Sequence, residues 1–150
     1  MPRKSACVAL AAAAVAASCS SEPAAVTRAD YVAALAAICT ETTARFAELP
    51  SAPDQISVVD LATSAASLLD NEATRANRLD TPDDDQLDDD HRAFVRNTVE
   101  QADAWRQVSA AAASPSADLV ASTDLIRQLV GGRNDLATEM GVLDCRRDGP

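Results

Sequence analysis

The stretch Val59-Asp60-Leu61-Ala62-Thr63-Ser64-Ala65-Ala66-Ser67-Leu68-Leu69-Asp70-Asn71-Glu72-Ala73-Thr74-Arg75-Ala76 decides the fold class. Its apolar positions Val59, Ala62, Ala66, Leu69, Ala73 and Ala76 recur at steps of three and four, the period of an α-helix with one buried face. The same spacing appears on both sides of it. Tyr31, Leu35, Ile38, Phe46 and Leu49 form a stripe upstream. Leu87, Phe94, Ala102, Trp105, Val108 and Ala112 form one downstream, and Leu119, Ile126, Leu129, Leu136, Met140 and Leu143 form the last. No segment sustains the alternation of a half-buried strand, and no Asn-Gly hairpin turn occurs. Four helices joined by short turns must be antiparallel neighbours. The pattern therefore predicts an all-α, antiparallel four-helix bundle over residues 27–150.

Proline punctuates the pattern without interrupting it. Thr81-Pro82 and Ser114-Pro115 each place a hydroxyl before a first-turn proline, and Ser51 or Ala52 precedes Pro53, so helices are expected to start there. Thr27-Arg28-Ala29-Asp30 is a looser start, with a carboxylate near the first turn. Gly131-Gly132 weakens the fourth helix and predicts a kink, while Gly141 offers a left-handed turn to end it. Alanine at so many inward positions lets helices approach closely and leaves little internal volume for an apolar ligand.

The chain has 150 residues, 13 basic and 23 acidic side chains, and a net charge of −10. That length suits one domain. So negative a chain lacks the cationic face that phosphate backbones require, which argues against nucleic acid as a partner. Four glycines cannot form a dinucleotide fingerprint or a P-loop.

The first residues read as an export signal. Met1-Pro2-Arg3-Lys4-Ser5 is a positive head, Ala6–Ala17 an uncharged run, and Ala16-Ala17-Ser18-Cys19 a small-residue ending. The run would span roughly 18 Å as a helix, short of a bilayer core of about 30 Å. Ala16–Cys19 resembles the lipobox of bacterial lipoproteins, although Ala16 stands where leucine is commonest. The resemblance implies cleavage of residues 1–18, acylation of Cys19 (a palmitate-type lipid anchor) and a tether over 19–26. The bland alternative is ordinary cleavage after Ala17 or Ser18. Removing 1–18 leaves 11 basic and 23 acidic side chains and no lysine, a charge of −12. The lipid, and not the acidic body, would then supply the membrane attraction.

Cys7 falls in the discarded run and Cys19 carries the lipid, which leaves Cys39 and Cys145. In an oxidising envelope these most simply form a disulfide, the other readings being free thiols or metal ligation. If paired, the first helix must overhang the fourth, or the chain after Gly141 must fold back along it.

Candidate chemistry centres on Asp80-Thr81-Pro82-Asp83-Asp84-Asp85-Gln86-Leu87-Asp88-Asp89-Asp90-His91. Clustered carboxylates suit hard cations, and Asp84, Asp85, Asp88 and Asp89 are the candidate metal ligands. The competing reading is that acids at a helix start meet the positive end of its dipole. On a helix Asp84 and Asp88 share one face, Asp85 and Asp89 another. His91 is the sole histidine and is expected at a solvent-facing rim, since no second Glu-x-x-His pair exists to build a di-iron site. No nucleophile elbow or His-Glu-x-x-His helix occurs. Tyr31, Phe46, Phe94 and Trp105 fall on the helix stripes and are expected in the core. Neither an enzyme nor a cofactor is indicated.

As a whole, Ala16–Cys19, Tyr31–Cys39 and Met140–Cys145 resemble the small, alanine-rich secreted lipoproteins of actinobacteria. That resemblance implies an envelope location, a helical domain and a bond from the first helix to the C-terminus. It brings no activity with it. The expected function is a membrane-anchored, non-enzymatic binding or scaffolding module on the extracytoplasmic face, meeting a basic protein segment with an acidic helical surface. The alternative is low-affinity divalent-cation binding through Asp83–Asp90.

Overall fold

The computed structural model describes residues 25–49, 55–114 and 119–148. The expected signal peptide 1–18, the expected acylation site Cys19, most of the expected tether, and the expected helix starts at Ser51–Pro53 and Pro115 lie outside the described residues. Four helices and one 3-10 turn account for nearly all of the rest: α1 (Arg28–Ala47), α2 (Gln55–Ala76), α3 (Asp85–Ala112), α4 (Leu119–Met140) and the turn Leu143–Cys145. There is no strand among the described residues. None of their helices is long and apolar enough to cross a membrane.

Local chemistry sets the helix ends. Thr27 is extended and its Oγ1 accepts from the Asp30 backbone N–H at 3.1 Å, capping α1. The Asp30 carboxylate accepts from the Thr27 hydroxyl in return (2.6 Å), next to the positive end of the helix dipole. α3 begins later than Thr81-Pro82 predicts. Asp84 is the cap, its carboxylate accepting from Leu87 N–H at 3.2 Å, while Thr81 donates to Asp88 at 3.1 Å. The Pro82 carbonyl accepts from Asp84 N–H (2.8 Å), so proline shapes the turn before the helix and a carboxylate takes the capping role.

α4 runs unbroken through Gly131-Gly132, where a kink was expected. Asn97 on α3 reaches across to donate to the Leu129 carbonyl at 3.2 Å, and a Cβ at position 132 would meet that amide at 3.4 Å. That inter-helix hydrogen bond supports the helix just ahead of the glycine pair. At Gly141 (φ +78°) the helix ends in a Schellman turn: Gly141 N–H donates to Thr138 O (3.1 Å) and Val142 N–H to Ala137 O (2.8 Å), with Val142 buried behind it. The chain then turns back along α4, where Asn134 holds Arg147 through its backbone N–H and carbonyl, both at 2.8 Å. Leu143 was expected in the last stripe but is 61% exposed, because helical spacing no longer applies once the chain has left the helix.

Packing follows the stripes otherwise. Ala62, Ala65, Ala66, Ala73 and Ala76 on α2 are buried, as are Ala102, Ala104 and Ala112 on α3, so these two helices lie close along their length. Thr63 faces Ser109 and Asp70 faces Arg106, so residue numbers rise on one helix as they fall on the other. Asn97 and Leu129 relate α3 to α4, and Glu41 and Arg75 relate α1 to α2. α1 reaches the rest of the fold mainly through α2 and the 3-10 turn. Cys39 and Cys145 sit at disulfide distance (sulfurs 1.98 Å and Cα atoms 4.9 Å apart), which ties α1 to that turn. The fold-back after Gly141 is what brings them together.

Candidate functional site

Two fully buried charges sit beside the disulfide. Glu72 is on α2 and Arg133 on α4, and neither side chain has any exposed surface. Both occupy core spacings: Arg133 stands between Ile126, Val130, Ala137 and Met140, and Glu72 lies three residues past Leu69. That spacing was the available signal, since a charge on an apolar stripe must find partners or stay out of the core. Arg133 has found them. Its Nε donates to the Cys145 carbonyl (2.9 Å), one terminal nitrogen donates to Thr98 Oγ1 (2.9 Å), and the other to Glu72. The Thr98 hydroxyl in turn donates a hydrogen bond to the Phe94 carbonyl (2.9 Å), and the guanidinium lies 4.5 Å from the centroid of the Phe94 ring. Burial pushes the Arg133 pKa down to about 10, with Glu72 opposing the shift, so the group stays charged at neutral pH.

A second arginine completes the cluster. Arg147, on the returning C-terminal segment, donates to the other Glu72 oxygen. Its side chain is only 9% exposed and its guanidinium lies 4.8 Å from the Phe46 ring centroid. Arg147 Nε is buried without a hydrogen-bond partner. One carboxylate therefore answers two guanidinium groups, and the cluster keeps one positive charge.

Beside Arg147 opens a cleft of about 450 Å³, walled by Phe46 of α1, Trp105 of α3, Ile126 and Val130 of α4, and Arg146. Thr43, Ala47 and Asp148 complete its rim. Phe46 and Trp105 were expected in the core and are half-buried here, while Tyr31 and Phe94 are the aromatic residues that the core encloses. Both line the cleft together with Ile126 and Val130 of α4 and the returning C-terminal segment.

The acidic segment is arranged differently. Asp84 caps α3 and meets Arg28 at 3.3 Å, Asp88 accepts from Thr81, and Arg92 straddles Asp88 and Asp89. Asp85 is exposed in the first turn. The four carboxylates named as metal ligands are thus not brought together. Among the described residues no group of three or more His, Cys, Asp or Glu side chains is placed to hold a metal ion.

His91 departs from expectation. It is 5% exposed, one step of four from Leu87 and three from Phe94 on the buried face of α3. Its Nδ1 lies 2.9 Å from the Tyr31 hydroxyl, with the two rings edge to face at 5.6 Å, and that hydroxyl is also 3.5 Å from Met140 Sδ. The tyrosine gives the imidazole a polar partner inside the core, which the sequence spacing did not reveal. Burial lowers the His91 pKa, with Asp88 opposing and Arg92 adding to the shift. Burial, followed by Asp90, pushes Tyr31 up to about 12. The folded protein therefore keeps His91 neutral where the unfolded chain would protonate it, and the unfolded state binds more protons as pH falls through about 6.5. Stability should decline with acidification from that point down to the folded-state pKa. Urea midpoints measured from pH 7 to 5 should fall for the wild type and fall less steeply for His91→Gln; parallel curves would contradict this assignment.

Compared with known proteins, the chain matches no protein-family model, no curated protein and no solved structure.

Proposed function

We propose that this protein is an exported lipoprotein, anchored through an acylated Cys19 on the extracytoplasmic face of the cell membrane. Its antiparallel four-helix bundle serves as a non-enzymatic binding or scaffolding module that meets a basic protein segment. The observation that carries this reading is the charge surplus at the head of α3. Six aspartates (Asp83, Asp84, Asp85, Asp88, Asp89 and Asp90) stand there against two paired arginines, Arg28 and Arg92. Such a surplus attracts cationic partners and speeds their encounter, in a salt-dependent way. Burial of the sole imidazole against Tyr31 further supports a binding role over a catalytic one.

The divalent-cation reading of the same segment is less favoured, since Asp84, Asp88 and Asp89 already meet arginines and no group of three acids among the described residues is placed to hold an ion. Asp83, Asp85 and Asp89 are exposed and can be neutralised together without touching the core. The Asp83→Asn/Asp85→Asn/Asp89→Asn variant should lose about tenfold in affinity for an arginine-rich peptide at low salt, and wild-type binding should fade as salt is raised. Equal affinity of the two proteins, or binding indifferent to salt, rules out the acidic head as the docking surface. Palmitate labelling lost in Cys19→Ala, with release of the protein from the membrane fraction, is expected of the anchor.

A further inference from the structure

The cleft beside Arg147 lies at the opposite end of the helices from the acidic head of α3, since α1 begins at Arg28 beside Asp84 and reaches the cleft at Phe46. Its chemistry is also opposite. In a chain of net charge −10, Arg133 and Arg147 share the single carboxylate of Glu72. Arg146 and Asp148 at the rim cancel, so the local charge stays at +1. Burying an uncompensated charge is costly, and buried cations are ordinarily matched by a carboxylate or another anion. Arg133 is enclosed and spends its donors on Cys145, Thr98 and Glu72, whereas Arg147 itself lines the cleft, so an anion meets the surplus charge there. Arg146 makes no ion pair among the described residues.

The rest of the wall is apolar. Phe46 and Trp105 present half-buried rings, and Ile126 and Val130 present aliphatic surface. A volume of about 450 Å³ lies within the range of small-molecule sites, which combine apolar walls with a few placed polar groups. A bare inorganic anion would satisfy the arginines and leave those walls wet. A neutral apolar molecule would cover the walls and leave the charge unanswered.

We propose that this cleft binds a small organic carboxylate with an apolar body, its carboxylate held by Arg147 and Arg146 and its body laid against Phe46 and Trp105. A guanidinium matches a carboxylate with two parallel hydrogen bonds, and Arg147 is already held in place by Phe46, Glu72 and Asn134. Little ordering cost then remains to be met on binding.

Trp105 is the only tryptophan and stands in this wall, so its fluorescence reports on the cleft. The oxidised full chain would be titrated with decanoate and with 3-phenylpropionate, against decanol, 3-phenylpropanol and inorganic phosphate. The expected result is a saturable change with at least one acid, half-complete below about 1 mM. Its matched alcohol should bind at least about tenfold more weakly, and phosphate should give no response. Arg147→Gln should weaken the acid about tenfold. Because that variant also disturbs the Glu72 cluster, Arg146→Gln, at an exposed position, serves as the second test and should weaken binding several-fold with an unchanged melting temperature. No saturable response to either acid up to about 10 mM, equal binding of acid and alcohol, or an equal response to phosphate would each overturn the proposal.

Discussion

Glu72→Gln should lower the stability of the oxidised protein by about 3–5 kcal/mol, the usual cost of removing one partner from a buried ion pair. The substitution keeps the shape of the side chain and one acceptor but deletes the charge that answers Arg133 and Arg147. Arg147, near the cleft, can turn toward water. Arg133 cannot, because Cys145, Thr98 and Phe94 enclose it and its side chain has no exposed surface. Against a total stability of about 5–15 kcal/mol for a domain, that loss is a large fraction. Urea unfolding of the purified protein would measure it. Replacing both charges at once, as Glu72→Leu/Arg133→Met, should cost less than Glu72→Gln alone, since no buried charge is then left without a counter-ion. A loss under about 1 kcal/mol for Glu72→Gln would mean that water screens the cluster as it screens a surface pair.

Reduction of the Cys39–Cys145 bond is the second large effect. The two cysteines are separated by 106 residues, for which the chain-entropy account predicts about 4–5 kcal/mol. In a domain of this size the melting temperature should fall by roughly 15 °C. The bond also positions the C-terminal segment, whose Cys145 carbonyl accepts from Arg133 and whose Arg147 meets Glu72. Removing the bond therefore loosens the ion cluster too. Adding Glu72→Gln to a Cys39→Ala/Cys145→Ala protein should accordingly cost less than it does in the wild type. The melting temperature of the double alanine variant should not respond to reductant. A wild-type melt that is equally insensitive would show that the constraint carries no stability.

These effects bear on how far the chain could be read without its structure. The α1 and α2 stripes were legible because each helix buries one face, and spacing of three and four records that face residue by residue. Tyr31, Leu35, Ala62, Leu69 and Ala76 all lie where the spacing put them. The start of α1 at Thr27 was legible for a similar reason, because a cap is a contact between residues three apart. The Cys39–Cys145 pairing followed from counting cysteines in a chain whose first residues read as an export signal. Its geometry did not, since only the left-handed turn at Gly141 shows which of the two routes the chain takes.

The polar core escaped a reading based on apolar residues alone. Glu72 and Arg133 stand on the stripes, but a charged residue at such a position is equally compatible with a helix that rotates it outward. His91 was expected at the rim because no second histidine pair offered it a metal-binding role, and the Tyr31 hydroxyl that admits it to the core lies 60 residues away. Sequence periodicity reports on neighbours within one helix, over about two turns. It therefore determined the all-helical class, four helices and most of their buried faces. Which charges share a core depends on contacts such as Glu72 with Arg133, 61 residues apart, and Glu72 with Arg147, 75 apart. Those contacts, and the cleft whose walls come from three helices and the returning C-terminal segment, were decided by the tertiary structure alone, because a buried charge is tolerated only where packing delivers its partner.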